Sequence, residues 1–237
     1  MNEYGNRTLL QCENLTKRYG STTALEHVNL ALEGGRIVGL VGPNGSGKTT
    51  LIKLAQHLLT PSEGTILVGG MAPGRETKAI VSYLPDRDFL PQWMSLADVL
   101  RFYEDFYTDF RRDRAEEMLA NLQIPNRTTI KKMSKGTREK VQLILTMSRD
   151  AMVYLLDEPI AGVDPAARDY ILRTILTNYN PEALVLISTH LIADVEPVLD
   201  EVVFLKEGQV VLHQNADALR EETGKSVDGY FREVFKC

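Results

Sequence analysis

The sequence predicts an α/β protein: a mostly parallel sheet as its core, an antiparallel β region beside it, and a helical subdomain inserted in the middle. Three observations carry this reading. Residues 36–41 form an apolar run that enters the glycine-rich loop Gly42-Pro43-Asn44-Gly45-Ser46-Gly47-Lys48-Thr49, and a helical pattern leaves it. From Ala151 onward, strand and helix patterns alternate, which means parallel strands joined by crossover helices. Between these parts, residues 88–149 are helical in period and rich in charge.

Taken in order, residues 9–19, 28–32 and 65–68 read as strands separated by turn-rich stretches. Residues 1 to about 35, with 62 to 85, make a small β region around the strand that enters the loop. The helix after the loop runs over 50–59, with Leu51, Leu54, Ala55 and Leu58 on one face, and Pro61-Ser62-Glu63-Gly64 is the turn that closes it. Helices follow over 95–106, 112–122 and 134–147. Residues 151–156 are a strand, Asp164 is an N-cap before Pro165 at the first helical position, and 183–189 are another strand. Residues 216–237 are amphipathic and read as a closing helix pair. There is no internal repeat. The chain is therefore expected to be one domain, with a core from about 1–87 and 150–220, a helical subdomain from about 88–149 and a tail from about 216–237.

At 237 residues, with 43% hydrophobic and 25% charged residues, the chain can bury a full core without staples. A net charge of −5 and a pI near 5.5 argue against a nucleic-acid surface. The basic clusters Arg111-Arg112-Asp113-Arg114 and Lys131-Lys132 are short and read as solvated helix faces. Two cysteines, Cys12 and Cys237, make neither a disulfide framework nor a zinc pattern, so a reducing compartment is expected. The first residues lack the apolar stretch of a signal peptide, and runs such as 183–187 are too short to cross a bilayer. A membrane role would need a partner.

The loop matches G-x-x-x-x-G-K-[ST] at every fixed position. Small residues let backbone N–H groups turn inward around phosphates, Lys48 would reach the β- and γ-phosphates, and the Thr49 hydroxyl would bind Mg²⁺. Val153-Tyr154-Leu155-Leu156-Asp157-Glu158-Pro159 is an apolar strand ending in two carboxylates. Asp157 would hold the Mg²⁺ hydration shell near Thr49, and Glu158 would polarise the attacking water. Thr189-His190 closes the next strand and would place an imidazole beside the same phosphates. A chance glycine-rich turn, an acidic strand exit and a structural histidine are the bland readings of each motif alone. Their ordered combination favours nucleotide chemistry.

This ordered set resembles the ATP-binding cassette (ABC) ATPases over essentially the whole chain to about residue 220. The resemblance implies a P-loop NTPase fold with a RecA-like core, with ATP and Mg²⁺ as cofactors. Tyr19, in Leu15-Thr16-Lys17-Arg18-Tyr19-Gly20, matches the aromatic that stacks on adenine. Gly42, Pro43, Asn44, Gly45, Ser46, Gly47, Lys48, Thr49 and Thr50 match the Walker A loop. Residues 153–158 match the Walker B strand, with Asp157 at the metal and Glu158 as the catalytic glutamate. Residues 161–164, ending in Asp164, match the D-loop, and His190 matches the switch histidine. Met133-Ser134-Lys135-Gly136-Thr137 stands where the family has Leu-Ser-Gly-Gly-Gln, so that Ser134, Lys135 and Gly136 would contact the nucleotide held by a second chain. The resemblance thus implies a dimer, homomeric or heteromeric, closed by two ATP molecules: a population shift driven by contacts made in only one state.

The chain departs from the family pattern at two places. Lys135 replaces the first signature glycine and Thr137 the glutamine; a lysine there costs little unless the backbone needs φ > 0. Asp86, in Val81-Ser82-Tyr83-Leu84-Pro85-Asp86, replaces the glutamine of the Q-loop. Two readings stand for it: Asp86 binds the metal, directly or through water, or it is a loop residue and hydrolysis is slower. The aromatic stretch Phe89, Trp93, Phe102, Tyr103, Phe106 and Tyr107 is in part subdomain core. Phe89 and Trp93, next to the Q-loop, suggest an apolar groove for a coupling helix of a membrane partner. The Ser-Lys-Gly signature followed by Arg138-Glu139-Lys140-Val141 resembles a bacterial subgroup common in Gram-positive organisms. The expectation is therefore a cytoplasmic ATPase subunit, peripheral at the inner face of the cell membrane, that drives a separately encoded integral membrane permease, with export favoured. The alternatives are a soluble ABC ATPase that moves no solute, such as the iron–sulfur assembly type, and a binding-only module. Intact Lys48, Asp157, Glu158 and His190 argue against the last.

Overall fold

The burial pattern of four apolar strands decides the architecture. In β3 (Arg36–Val41), β6 (Val153–Asp157), β7 (Leu184–Thr189) and β8 (Glu201–Lys206), successive side chains enter opposite hydrophobic layers. Ile37, Val41, Tyr154, Leu156, Val185 and Ile187 pack on one side. Val38, Leu40, Val153, Leu155, Leu184 and Leu186 pack on the other. Strand side chains alternate between faces, so near-continuous apolar runs are what a sheet covered on both sides requires. The structure, a computed structural model, describes residues 7–163 and 165–235.

These strands lie in a six-stranded sheet of order β5-β6-β7-β3-β8-β9, parallel except for the last pair. Here β5 is Val81–Leu84 and β9 is Gln209–Asn215. A second, three-stranded antiparallel sheet of order β2-β1-β4 is built from β1 (Thr8–Tyr19), β2 (Thr22–Glu33) and β4 (Glu63–Val68). It covers one layer of the main sheet together with helix α1 (Lys48–Ala55), whose Leu51, Ile52 and Leu54 are buried there. The strand entering the glycine-rich loop lies at the centre of the main sheet. One sequence expectation changes: the segment 81–84, grouped above with the β region, also belongs to the main sheet. Four residues after the short helix α2 (Arg75–Ile80) are too few to show which sheet they join; the parallel pairing of Val81 with Val153 decides it.

The helices α3 (Leu96–Phe106), α4 (Arg112–Ala120) and α5 (Lys135–Met147) share a separate apolar cluster that includes Leu96, Leu100, Leu119, Val141 and Ile144. Ser95 caps α3, its side chain accepting from the Asp98 N–H while the Asp98 carboxylate accepts from the Ser95 N–H, as capping-box chemistry requires. The far face of α5 sends Leu143 and Met147 into the main-sheet layer, so this helix joins the two bodies. That layer also takes in α6 (Pro165–Asn178), α7 (Ile192–Val195), α8 (Ala216–Thr223) and α9 (Val227–Phe235). Phe231 and Phe235 of α9 pack on Phe204 of β8.

Arg149 fixes the C-terminal end of α5 to the sheet. It is 3% exposed, donates to the carbonyls of Val81 and Ala79, pairs with the Asp109 carboxylate at 2.9 Å, and stacks 3.9 Å from the Tyr107 ring centre. Removing one member of a buried ion pair leaves the partner's charge and the accepting carbonyls uncompensated. Arg149→Ala is therefore expected to destabilise the fold by about 3 kcal/mol, read as a lower urea midpoint at unchanged slope. An unchanged midpoint would show that Arg149 is no fixture.

Candidate functional site

The register of the parallel strands brings the motif residues to one edge. Val41 pairs with Thr189, Asp157 with Ser188, and Leu84 with Leu156. The residues that follow these strand ends, Gly42, His190, Glu158 and Pro85-Asp86, therefore emerge together at the carboxyl edge, where open α/β sheets place their ligands.

The loop from Gly42 to Lys48 needs its glycines for two different reasons. A Cβ on Gly42 would lie 2.3 Å from the Leu205 carbonyl oxygen. Gly47 has φ 109° and leaves no room for a side chain, since a Cβ would meet the Ala24 carbonyl at 2.5 Å. Gly47 directly precedes α1, so the positive end of the helix faces the loop, a ready site for an anion. The Lys48 ammonium, 6% exposed, donates to the Gly42 carbonyl at 2.7 Å and the Pro43 carbonyl at 3.2 Å, and lies 3.7 Å from the Glu158 carboxylate. Burial pushes its pKa below the ordinary lysine value, against the pull of Glu158 and Asp157. A desolvated ammonium of this kind gains from any multiply charged anion that enters the loop.

Asp157 is fully buried. Its Oδ1 accepts from Thr49 Oγ1 at 3.1 Å and from Ser188 Oγ at 2.5 Å, whereas Oδ2 is buried without a partner. Burial raises its pKa above the usual carboxylate value; the Ser188 and Thr49 hydroxyls oppose this, and the nearby Asp86 and Glu158 charges add to it. An orphaned carboxylate oxygen next to a threonine hydroxyl fits a divalent cation. Among the described residues no group of three or more His, Cys, Asp or Glu could hold a metal by itself. This suits Mg²⁺, which takes one or two protein ligands and completes its shell with phosphate and water.

Glu158 has φ 51°, a left-handed backbone that non-glycine residues rarely adopt outside special sites. Its N–H donates to the Ser188 carbonyl at 3.0 Å, and its Oε2 lies 2.9 Å from His190 Nδ1. Lys48, Thr49, Asp157, Glu158 and His190 thus form one connected constellation. Ser188 belongs to it and was not singled out from the sequence; the polar pair Ser188-Thr189 ending the apolar strand 184–189 is the signal that could have found it.

The remaining predicted residues lie around this cluster, Asp86 close enough for its charge to act on Asp157. Tyr19 is 47% exposed with Lys17 Nζ 5.3 Å from its ring centre. Ser134 caps α5 by accepting from the Thr137 N–H at 3.2 Å. Lys135 is absent from the positive-φ residues, so it meets no backbone penalty in place of glycine, and a Cβ on Gly136 would meet open space. Lys135 Nζ lies 3.7 Å from Glu139. Asp86 is exposed. Asp164 lies outside the described residues.

Between the core and the helical cluster runs a groove of about 640 Å³, lined on its apolar side by Phe89, Leu90, Met94, Phe102 and Phe106. Phe89 lines it as expected. Trp93 does not: its ring is 75% exposed outside the groove, because the turn that carries it sends Leu90 and Met94 inward instead.

Asp157→Asn follows from the geometry as a test. The raised pKa means that the ionised form is penalised in the folded, metal-free chain; the penalty is absent below the unfolded value of 3.8 and fully developed above the folded one. At neutral pH the neutral amide removes it, at the smaller cost of an unpartnered N–H. The metal-free variant is expected to melt at or above the wild-type temperature and to gain nothing from Mg²⁺ added with nucleotide. A variant that melts lower, or keeps the Mg²⁺ gain, would contradict this.

Comparison with known proteins agrees with this geometry. The family profile described as "ABC transporter" matches residues 25–161, more than half of the chain. The "SkfA peptide export ATP-binding protein SkfE" of Bacillus subtilis (strain 168) is 29% identical over 209 residues, covering 86% of this chain and 87% of that one. The "Linearmycin resistance ATP-binding protein LnrL" of the same organism is 28% identical, covering 86% of this chain and 68% of that one. A solved structure titled "Structure of ATP binding subunit of ABC transporter" superposes with a TM-score of 0.86 at 29% identity, over 96% of this chain and all of the other.

Proposed function

The chain belongs to the ABC transporter family as an ATP-binding, ATP-hydrolysing cassette, and from that premise we propose that it dimerises around two MgATP to drive a separately encoded membrane permease. The observation that carries the reading is the connected cluster at the carboxyl edge of the sheet. Lys48, Thr49, Asp157, Glu158 and His190 lie within one network there, with an unpartnered buried carboxylate oxygen facing it.

In this reading the loop N–H groups from Gly42 to Thr50 and the Lys48 ammonium hold the β- and γ-phosphates, and Tyr19 stacks on adenine. Thr49 and Asp157 would hold Mg²⁺, which would supply charge neutralisation to the phosphates. Asp86 adds its negative charge on the side of Asp157. Glu158 accepts the proton of the attacking water while that water's oxygen bonds the γ-phosphorus and ADP leaves; His190 orients the carboxylate and reaches the γ-phosphate with its other ring nitrogen. Ser134, Lys135 and Gly136, with Asp164, serve the ATP of the second chain. The apolar groove with Phe89 takes a segment of the permease.

Among the described residues no helix is long and apolar enough to cross a membrane, which fits a peripheral subunit held at the inner face by its permease. The names of SkfE and LnrL, a peptide export protein and a resistance protein, support export over import.

The test uses tagged Glu158→Gln, which traps ATP. Expressed in its native host, supplied with MgATP and solubilised from membranes, it is expected to bring down a polytopic membrane protein at matching stoichiometry. Recovery only as a soluble dimer would sink the transporter reading in favour of a soluble ABC ATPase.

A further inference from the structure

The segment after Asp86 is tied to the signature helix by side chains that none of the nucleotide chemistry uses. Asp88 Oδ2 accepts from Arg138 Nε at 2.9 Å, and Asp88 Oδ1 accepts from Gln142 Nε2 at 3.1 Å. Gln142, 4% exposed, turns its other end back to accept the Phe89 N–H at 2.8 Å. Arg138 in turn donates to the Met133 carbonyl at 2.8 Å, directly before the Ser134 cap. One carboxylate therefore connects the loop carrying Asp86 and Phe89 to the exact turn of α5 that begins with Ser134. Further along the same helix the Ser82 hydroxyl donates to the Thr146 carbonyl, so β5 and α5 are joined at both ends of the contact. A charge-assisted, two-armed bond of this kind resists shear better than apolar packing, because its geometry is directional.

We propose that Asp88, gripped by Arg138 and Gln142, is a positioning residue that locks the Asp86 loop to the start of the signature helix, so that the two move as one unit when ATP binds. The consequence is coupling. A change felt at Asp86, on the side of the metal, or at Phe89, in the groove, is delivered to Ser134 without passing through the sheet. The inference rests on the reading of Ser134 as a nucleotide contact for a second chain, and it adds a residue whose own side chain touches neither nucleotide nor metal.

The experiment compares full-length wild type with Asp88→Ala, Arg138→Ala and the double variant. A lock predicts that each single change lowers kcat for ATP about tenfold, while the Kd for a fluorescent ATP analogue stays within about twofold. It also predicts that the double variant is no worse than the worse single one, because both break the same link. Hydrogen exchange supplies a readout independent of turnover. In wild type, ATP should protect residues 86–90 and 134–138 over the same concentration range, and in Asp88→Ala the two responses should separate. Additive kcat losses, losses that appear equally in Kd, or wild-type segments that respond at different ATP concentrations would each overturn the lock. The functional reading fails separately, if wild type shows no Glu158-dependent hydrolysis; the lock still stands or falls on the exchange result.

Discussion

Substitution of Glu158 by glutamine is expected to lower the ATP hydrolysis rate by about a thousandfold while ATP binding is kept or tightened. Glutamine has the same shape and can hold the left-handed backbone at φ 51° no worse than glutamate, so the fold of the turn is preserved. Its amide oxygen can still meet His190 Nδ1, now at 2.9 Å from Oε2. What it loses is the capacity to take a proton from water, and a positioned base contributes about 10²–10⁴-fold, so about 4 kcal/mol of barrier is at stake. It also loses the negative charge 3.7 Å from Lys48. The ammonium is then freer to turn to phosphate, which is why affinity should not fall. Steady-state turnover, with light scattering to follow the mass in the presence of MgATP, reads both halves: a slow enzyme and an accumulated dimer. Turnover at the wild-type rate would remove Glu158 from the role of base.

Much of this site could be read from the chain because each motif is local. The loop 42–49 and the strand ending in Asp157-Glu158 are continuous in sequence, and their chemistry follows from residue type and spacing. Contacts set by strand register were not legible in that way. Asp157 meets Ser188 only because β6 and β7 pair with those two residues opposite each other, a fact of tertiary pairing that spacing does not carry. The same holds for β5, whose four residues show no period and join the main sheet through β6 alone. The apolar runs of β3, β6 and β7 were legible for the opposite reason: burial on both faces leaves no polar position to confuse the pattern. Trp93 lies outside the groove because sequence proximity to Asp86 says nothing about which way a turn points its side chains. Lys135 raised a question that the backbone answers, since the position needs no positive φ.

Lys48→Met separates binding from folding more sharply than any other change. The Lys48 ammonium is buried, and burial holds its pKa below the ordinary lysine value of 10.5. A lysine with a depressed folded pKa lowers stability wherever it is charged in the unfolded chain. The penalty is fully present below the folded pKa and disappears as pH rises through the unfolded value. Neutral pH lies below the unfolded value of 10.5, so the wild-type chain carries this penalty there, offset in part by the bonds to the Gly42 and Pro43 carbonyls. Methionine fills a similar volume without charge. The nucleotide-free variant is expected to melt within a few degrees of wild type, or above it. Its affinity for ATP should nevertheless fall about a thousandfold, about 4 kcal/mol, because the phosphates lose the buried, hydrogen-bonding Lys48 cation. Calorimetric titration with MgATP and a thermal melt of the same sample decide the matter. Retained micromolar-range binding would show that the loop N–H groups and the α1 N-terminus suffice for the phosphates, and a collapse in melting temperature would show that Lys48 serves the fold before it serves the nucleotide.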